Sequence, residues 1–294
     1  MSEPSSIVVL GDALVDEIVD DDSTTRHPGG SAVNVAIGLA RLGIRATLMA
    51  TIGDDDVGEV LRRALRDHDV PLAETRNPLG TGIARSERIA GEPRYSFSEA
   101  ARSRDLDLDD EDLEALAHAR VIAISGFPFD SEPTTSRLLA ALEASKAIVA
   151  IDPNPRRGLI RDLPAYRAGF DRIASGSDLV KLGSDDLQLL TDRDDDELRA
   201  ELSTRFHMLL ATEGAKGASV WIEGARVASS PTLAEQDRVI DTMGAGDATF
   251  ATFVAELSQH GLALDPAVTL QRAMRVAGAT VAQHGALLQV PPSE

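Results

Sequence analysis

The stretch Asp241-Thr242-Met243-Gly244-Ala245-Gly246-Asp247 runs directly into the segment Ala248–Leu257. In that segment apolar residues recur at i, i+3, i+4 and i+7, which predicts an amphipathic helix. The two glycines before it allow a tight turn that bares backbone N–H groups, and a helix N-terminus of this kind favours an anion. Asp247 is either an N-cap or, beside that anion, a base that accepts a proton from a hydroxyl attacking phosphorus.

On both sides of this stretch, short apolar runs alternate with helical patterns. Continuous apolar strands between helices are typical of a parallel sheet covered on both faces. Ligands of such sheets bind beyond the carboxyl ends of the strands. The predicted strands are Ile7–Leu10, Ala46–Ile52, Val121–Ser125, Ile148–Ile151, Leu179–Leu182 and Met208–Thr212. The predicted helices are Val33–Leu42, Val57–Asp67, Asp110–Ala119, Thr134–Ser145 and Asp196–Arg205.

One region breaks this alternation. Gly82–Ile89 and Arg94–Phe97 read as extended segments joined by a turn at Gly91-Glu92-Pro93. This pattern predicts a hairpin inserted between the α/β units. The hairpin either belongs to a small sheet over the site or decorates the surface.

The composition excludes several classes of function. With 29 basic and 48 acidic residues, the net charge of −19 argues against nucleic acid and membrane partners. The absence of cysteine excludes disulfides, thiolate metal sites and cysteine nucleophiles. No signal peptide is visible, and no run approaches the roughly 20 apolar residues that span a bilayer. We therefore expect a cytoplasmic protein.

A second polar stretch reads His27-Pro28-Gly29-Gly30-Ser31-Ala32-Val33-Asn34 and leads into a predicted helix. Paired glycines let a ligand approach the backbone, and Asn34 offers the donor and acceptor that sugar hydroxyls need. The alternative is a simple turn with Ser31 as the N-cap. Asp12, directly after the first strand, is either a further partner for polyol hydroxyls or a solvated loop acid.

Together, these stretches resemble the two signatures of the ribokinase/fructokinase family of carbohydrate kinases, and the resemblance extends from Gly11-Asp12 to Gly285-Ala286. It implies a ribokinase-like three-layer α/β/α fold with a mostly parallel central sheet and a small β-sheet lid. Residues 1–294 would form a single kinase domain, with the lid formed mainly by about 81–98 and, as a further candidate, 13–27. The implied activity is ATP-dependent transfer of the γ-phosphoryl group to a primary hydroxyl of a sugar.

The resemblance also implies roles for single residues. Asp247 is the catalytic base, and the amides of Gly244, Ala245 and Gly246 form the anion hole. The implied substrate-binding residues are Asp12, Gly29, Gly30, Asn34 and Arg156, where Arg156 is either a ligand of substrate or phosphate or a surface residue paired with an acid. The implied nucleotide-binding residues are Lys181, Thr212, Gly214, Gly217, Thr242, Gly244 and Gly246.

Two departures from the family pattern concern the metal and the sugar. Many members carry Asn-x-x-Glu where this chain has Gly183 and Asp186, so Asp186 is expected to hold Mg²⁺ through water. Asp241 is the candidate ligand for a monovalent cation such as K⁺. The chain has Phe97-Ser98-Glu99 where fructokinase-like members usually carry an aromatic and an Arg after a Phe. The sugar therefore stays open between fructokinase-like and 2-keto-3-deoxygluconate-kinase-like substrates.

Three other functions are compatible with the pattern. One is a nucleoside kinase of the adenosine type on the same fold, which would need an apolar slot for the base. Another is a catalytically silent sugar-binding regulator, and the third is a dinucleotide-dependent oxidoreductase. For the kinase, the expected partners are a small-molecule sugar and ATP, and the resemblance adds a homodimer formed through the lid.

Overall fold

The structure is a computed structural model that describes residues 7–20, 23–89, 92–234 and 239–291. The strands are β1 Ile7–Gly11, β2 Leu14–Asp20, β3 Ser23–Gly29, β4 Thr47–Ile52, β5 Leu72–Arg76, β6 Gly82–Ile89, β7 Glu92–Phe97, β8 Val121–Ser125, β9 Ile148–Asp152, β10 Leu179–Gly183, β11 Met208–Thr212, β12 Ala218–Ile222 and β13 Ala225–Ser230. The helices are α1 Ser31–Arg41, α2 Asp56–Asp67, α3 Glu99–Arg102, α4 Asp110–His118, α5 Glu132–Ala144, α6 Leu163–Ala174, α7 Ser184–Thr191, α8 Asp196–Ser203, α9 Ala245–His260 and α10 Pro266–Val281.

Nine strands form the central sheet in the order β13-β12-β11-β10-β9-β8-β1-β4-β5. The pairs from β11 to β5 are all parallel, and the β12–β13 hairpin adds an antiparallel edge. All six predicted strands lie in this sheet. Their continuous apolar runs identify them because both faces of a central parallel strand are buried.

Helices cover the two faces of the sheet and bury two separate cores. On one face, Ile7 and Val9 of β1 join apolar residues of α1, α2, α9 and α10. On the other face, Val8 and Leu10 join residues of α4, α5, α6, α7 and α8. The predicted three-layer α/β/α fold is therefore confirmed. The five helices predicted between the strands are present as α1, α2, α4, α5 and α8, and the helix predicted over Ala248–Leu257 is part of α9.

A second, four-stranded sheet has the order β3-β2-β6-β7. Strands β2 and β6 are parallel, while the β2–β3 and β6–β7 pairs are antiparallel. The two extended segments predicted from sequence are β6 and β7. Glu92 and Pro93, predicted as part of the turn, are instead the first residues of β7, and Gly91 lies outside the described residues. Phe97 at the end of β7 packs with Leu14, Ala101 and Leu159, which attaches this sheet to the main body. A lid role for this sheet stays a prediction.

The strand order reverses beside β1, which pairs with β8 on one side and β4 on the other. A parallel sheet opens a crevice at such a switch point, at the carboxyl ends of its strands. Here those ends are Gly11 and Ser125, which face each other in register. The candidate site is built at this crevice.

Candidate active site

The glycine-rich turn at 244–246 starts helix α9 in a way that other residues would not allow. Gly244 has φ 76°, and a Cβ placed on it would lie 2.0 Å from the carbonyl oxygen of Ala286. Because Gly244 is the N-cap, α9 begins at Ala245 and Asp247 lies in its first turn. The first backbone N–H groups of α9 have no partner within the helix and carry its positive dipole end, as an anion site requires.

Asp247 is buried, and hydrogen bonds hold both of its carboxylate oxygens. Ser31 Oγ donates to Oδ1 at 2.5 Å, and Asn34 Nδ2 donates to Oδ2 at 2.8 Å. Ser125 Oγ lies 2.6 Å from Ser31 Oγ. The alternative interpretation of Asp247 and Ser31 as N-caps is therefore wrong. Gly244 is the N-cap of α9 and Gly30 is the N-cap of α1. The serine and the acid instead bind each other.

Asp12 and Asp16 add two more carboxylates to this crevice. Asp12 is buried after β1, and its Oδ1 accepts the N–H of Ala32 at 3.2 Å. Burial raises the pKa of Asp12 to about 6, although the nearby Arg104 guanidinium opposes the rise. Burial also raises the pKa of Asp16 to about 6, with the charges of Asp12 and Asp247 adding to the effect. The part of the crevice around Asp12 and Asp16 therefore disfavours additional negative charge, whereas the N–H groups at the start of α9 favour it.

The paired glycines predicted to bind sugar surround these acids. A Cβ on Gly29 would lie 2.3 Å from Asp16 Oδ2, and one on Gly30 would lie 2.5 Å from the carbonyl oxygen of Asp12. Gly30 has φ 98°, which lets α1 begin at Ser31. Within the described part of the chain, Asn34 Oδ1 is buried and accepts no hydrogen bond. Buried acceptors are rarely left unpaired, so a ligand hydroxyl is a fitting partner for this atom.

A cleft of about 520 Å³ opens beside Asp247 and the glycine turn. Polar side chains from the ends of several strands line it, as expected at the carboxyl edge of a parallel sheet. The predicted site residues in this lining are Arg156, Lys181, Asp186, Thr212, Gly214, Thr242, Gly244, Gly246 and Asp247.

A second cleft of about 360 Å³ adjoins the first and shares Thr212, Gly214, Thr242 and Gly246 with it. Its walls are mainly apolar, and they also contain the predicted residue Gly217. Helix α10 supplies lining residues that the sequence did not indicate: Met274, Ala277, Gly278 and Val281. A polar cleft continuous with an apolar one suits a ligand that has a charged end and a flat apolar end.

Lys181 is a buried cation beneath the glycine turn. Its Nζ lies 2.9 Å from Asp152 Oδ2 and 3.9 Å from Asp186 Oδ2. A Cβ placed on Gly246 would lie 3.0 Å from the same Nζ. Burial alone would lower the pKa of Lys181, but the charges of Asp152 and Asp186 raise it above its ordinary value. The ammonium therefore stays charged beside the start of α9.

The residues around the polar cleft fit a magnesium ion that arrives with phosphate rather than one held by protein alone. Among the described residues, no three His, Cys, Asp or Glu side chains are placed to hold a metal ion. Asp186 lines the cleft, with one oxygen already accepting the N–H of Gly183 at 2.7 Å. Mg²⁺ usually binds one or two carboxylates together with substrate phosphates and water.

Asp241 lies outside the linings of both clefts. Its Oδ1 accepts the N–H of Met243 at 3.0 Å, and its Oδ2 accepts the N–H of Gly285 at 3.1 Å. The observed contacts therefore tie the segment before α9 to the chain after α10. Its role as a ligand of a monovalent cation stays a prediction.

Several polar residues of the site were not identified from sequence, among them Ser125, Asp152 and Arg104. Ser125 and Asp152 end neighbouring strands and face each other in register. Arg104 is buried and donates to the carbonyl oxygens of Gly126 and Leu159. For the two strand residues a signal was present, because a polar residue that closes an apolar strand lies at the ligand edge of the sheet. The loop arginine gave no comparable signal.

The fold and this site together are those expected of a phosphotransferase. A glycine starts the helix, an acid lies in its first turn, and a polar cleft opens at the carboxyl edge of the parallel sheet. The model of the pfkB family of carbohydrate kinases matches residues 5–292. This chain belongs to that family. It is a sugar kinase, an enzyme that transfers a phosphoryl group to an alcohol.

Similar proteins agree with this assignment. A fructokinase of Klebsiella pneumoniae is 33% identical over 87% of this chain and 85% of its own length. A fructokinase of Rhizobium leguminosarum bv. trifolii is 34% identical over 87% of this chain and 81% of its own length. A fructokinase of Xylella fastidiosa, solved with bound ATP, shares the fold with a TM-score of 0.80 at 24% identity, covering 96% of this chain and 94% of that one.

None of the helices in the described ranges has the length and apolar character that a membrane span requires.

Proposed function

We propose that this chain phosphorylates a neutral ketose such as fructose at a primary hydroxyl, with ATP as the phosphoryl donor and Asp247 as the general base. The names of its relatives support the sugar, because two fructokinases share a third of its residues over most of both chains. The ATP-bound fructokinase of similar fold supports the donor.

The observation that carries the proposal is the position of Asp247. Its carboxylate is oriented by Ser31 and Asn34, and it lines the same cleft as the glycine turn and Lys181. A base must lie within hydrogen-bond reach of the proton it takes, next to the groups that hold the electrophile. A solvated acid would need neither the burial nor the two side-chain donors.

The chemistry follows from this placement. Asp247 accepts the proton of the sugar hydroxyl while the hydroxyl oxygen forms a bond to the γ-phosphorus. The bond from that phosphorus to the β,γ-bridging oxygen breaks, which releases ADP. The N–H groups at the start of α9 hold the oxygens of the migrating phosphoryl group, and Lys181 neutralises their charge. Arg156, in the same cleft, suits a bidentate contact with phosphate. Asp186 would help to hold Mg²⁺, which would supply charge neutralisation on the ATP phosphates.

A neutral sugar fits the crevice better than a sugar acid. Asp12, Asp16 and Asp247 lie together there, and burial raises the pKa of the first two, with neighbouring carboxylates adding to the rise. A substrate carboxylate would add a fourth negative group, whereas hydroxyls can donate to these acids and to the unpaired Asn34 Oδ1. Between the two sugar classes left open by sequence, we therefore favour the fructokinase-like one.

Two parts of the proposal rest on the family resemblance. The first is activation by a monovalent cation near Asp241, and the second is a homodimer formed through the β3-β2-β6-β7 sheet acting as a lid. Kinase rates in K⁺ against a bulky organic cation test the first. Sedimentation of the protein with and without sugar tests the second.

A substrate panel tests the proposed function. The purified protein is incubated with ATP and Mg²⁺ and with fructose, 2-keto-3-deoxygluconate, ribose or adenosine in turn. ADP release gives the rate, and ³¹P NMR identifies the phosphorylated hydroxyl. We expect the highest kcat/KM for fructose and at least a tenfold lower value for the sugar acid. A preference for the acid or for adenosine would contradict the proposed substrate.

A further inference from the structure

Three side chains form a hydrogen-bonded chain beneath the proposed base. Ser125 Oγ lies 2.6 Å from Ser31 Oγ, and Ser31 Oγ donates to Asp247 Oδ1 at 2.5 Å. All three residues are buried, with Ser125 fully inaccessible to solvent. The chain joins the end of β8 to the first residue of α1 and the first turn of α9.

The direction of the chain follows from the number of protons available. A serine hydroxyl carries a single proton, and Ser31 gives its own to the carboxylate of Asp247. Ser125 must therefore donate to Ser31. Donation by Ser125 polarises the hydroxyl of Ser31, which strengthens the hydrogen bond that Ser31 makes to the acid.

The backbone fixes both serines before any ligand binds. Ser125 pairs in register with Gly11 at the centre of the sheet. Gly30, with φ 98°, starts α1 so that Ser31 is the first helical residue and faces α9. Because neither serine lies on a free loop, their hydroxyls can hold a carboxylate in one orientation.

We propose that Ser31 is a positioning residue for the base Asp247 and that Ser125 acts on the base through Ser31. This inference rests on the proposed function. Ser31 binds one lone pair of Oδ1 and Asn34 binds one of Oδ2, which fixes the plane of the carboxylate. Each oxygen keeps a further lone pair, and one of these receives the proton of the sugar hydroxyl.

A positioning role and a substrate-binding role for Ser31 predict different kinetics. A residue that orients the base acts on the chemical step, so its loss lowers kcat and leaves KM almost unchanged. A residue that binds the sugar equally in the ground and transition states would instead raise KM for the sugar. The separation of kcat from KM therefore decides between the two roles.

The test uses Ser31→Ala, Ser125→Ala and the double variant, assayed with fructose and ATP. For Ser31→Ala we expect kcat to fall about 10- to 100-fold, as for the loss of a hydrogen bond to a charged group, with both KM values within about twofold. For Ser125→Ala we expect a smaller fall in kcat of the same kind. Because Ser125 acts through Ser31, losing Ser125 should matter little once Ser31 is gone. The kcat of the double variant should therefore lie within about twofold of that of Ser31→Ala.

Ser177→Ala is the matched control, since Ser177 is also a buried serine but donates to Ile173 O within its own segment. Its kcat should equal that of the unchanged protein, and thermal unfolding shows whether each variant folds. A rise in KM for the sugar without a fall in kcat, or effects of the two serines that multiply, would overturn the inference. Asp247→Asn separates the two failures, because an active Asp247→Asn variant contradicts the proposed function itself.

Discussion

Replacing Lys181 by methionine tests whether the buried ammonium serves the phosphate site or only the fold. The substitution keeps the apolar stem and removes the charge that lies 2.9 Å from Asp152 Oδ2. Asp152, which is fully buried, would then face the interior without a counter-charge. A second variant, Lys181→Met with Asp152→Asn, removes both charges and leaves the volumes almost unchanged.

At the 2.9 Å separation, two unit charges attract by about 6 kcal/mol at an effective dielectric constant of 20. Desolvation offsets part of this attraction, and removing one partner of a buried pair costs about 3–5 kcal/mol of stability. We therefore expect Lys181→Met to lower the free energy of unfolding by about 3–5 kcal/mol at pH 8. Burial raises the pKa of Asp152 although the Lys181 charge lowers it, so this pKa lies higher still once Lys181 is replaced. The folded single variant therefore binds a proton more tightly than the unfolded chain, and its stability rises as the pH falls from 8 to 6.

The kinetic expectation is different from the stability expectation. Loss of one preorganised donor at a transferring phosphoryl group costs about 10²–10³-fold in kcat. Urea unfolding at pH 6 and 8 and kcat with saturating ATP are measured for both variants. The double variant should recover most of the stability and none of the activity. If it recovers both, Lys181 only neutralises Asp152, and our assignment to the phosphate site is refuted.

Further predictions concern Asp12 and Gly244. Burial raises the pKa of Asp12 from 3.8 to about 6, so the folded protein loses up to about 3 kcal/mol as the pH rises from about 4 to above 6. Asp12→Asn should remove this dependence of the free energy of unfolding on pH, measured by urea unfolding, and should raise KM for the sugar. An unchanged pH dependence would show that Asp12 is not the group that titrates. Gly244→Ala should destabilise the protein by more than about 2 kcal/mol, because φ 76° is strained for alanine and its Cβ meets Ala286 O at 2.0 Å. Gly43→Ala is the matched control in thermal unfolding, since Gly43 has φ 80° but open space around it, and equal losses for the two variants would refute the steric argument.

The layers of the fold were predictable because burial leaves a strong pattern in the sequence. Strands such as Val121–Ser125 and Met208–Thr212 are buried on both faces and therefore read as unbroken apolar runs. Strand β3 has no such run, because most of its side chains are exposed. The edge hairpin β12–β13 was also missed. Its second strand is mostly exposed and lacks a continuous apolar pattern, whereas its first strand is buried over most of its length.

Single site residues were predictable where the backbone itself demands a residue type. Gly30 and Gly244 adopt positive φ angles at helix starts, and glycines leave a visible signal there. The partners of Asp247 were not predictable in the same way, because Ser31 lies 216 positions away and its contact depends on how α1 and α9 pack. The pairing of Lys181 with Asp152 likewise depends on strand order, which the sequence implies only through the family.

The central claim is that Asp247 removes the proton of the attacking hydroxyl beside the amides of Gly244–Gly246. The most direct measurement is kcat for Asp247→Asn with ATP and fructose, on protein whose circular dichroism and ATP affinity match those of the unchanged chain. General base catalysis contributes about 10²–10⁴-fold, so we predict a fall of that size. Turnover within tenfold of the unchanged enzyme would show that the proton leaves by another route.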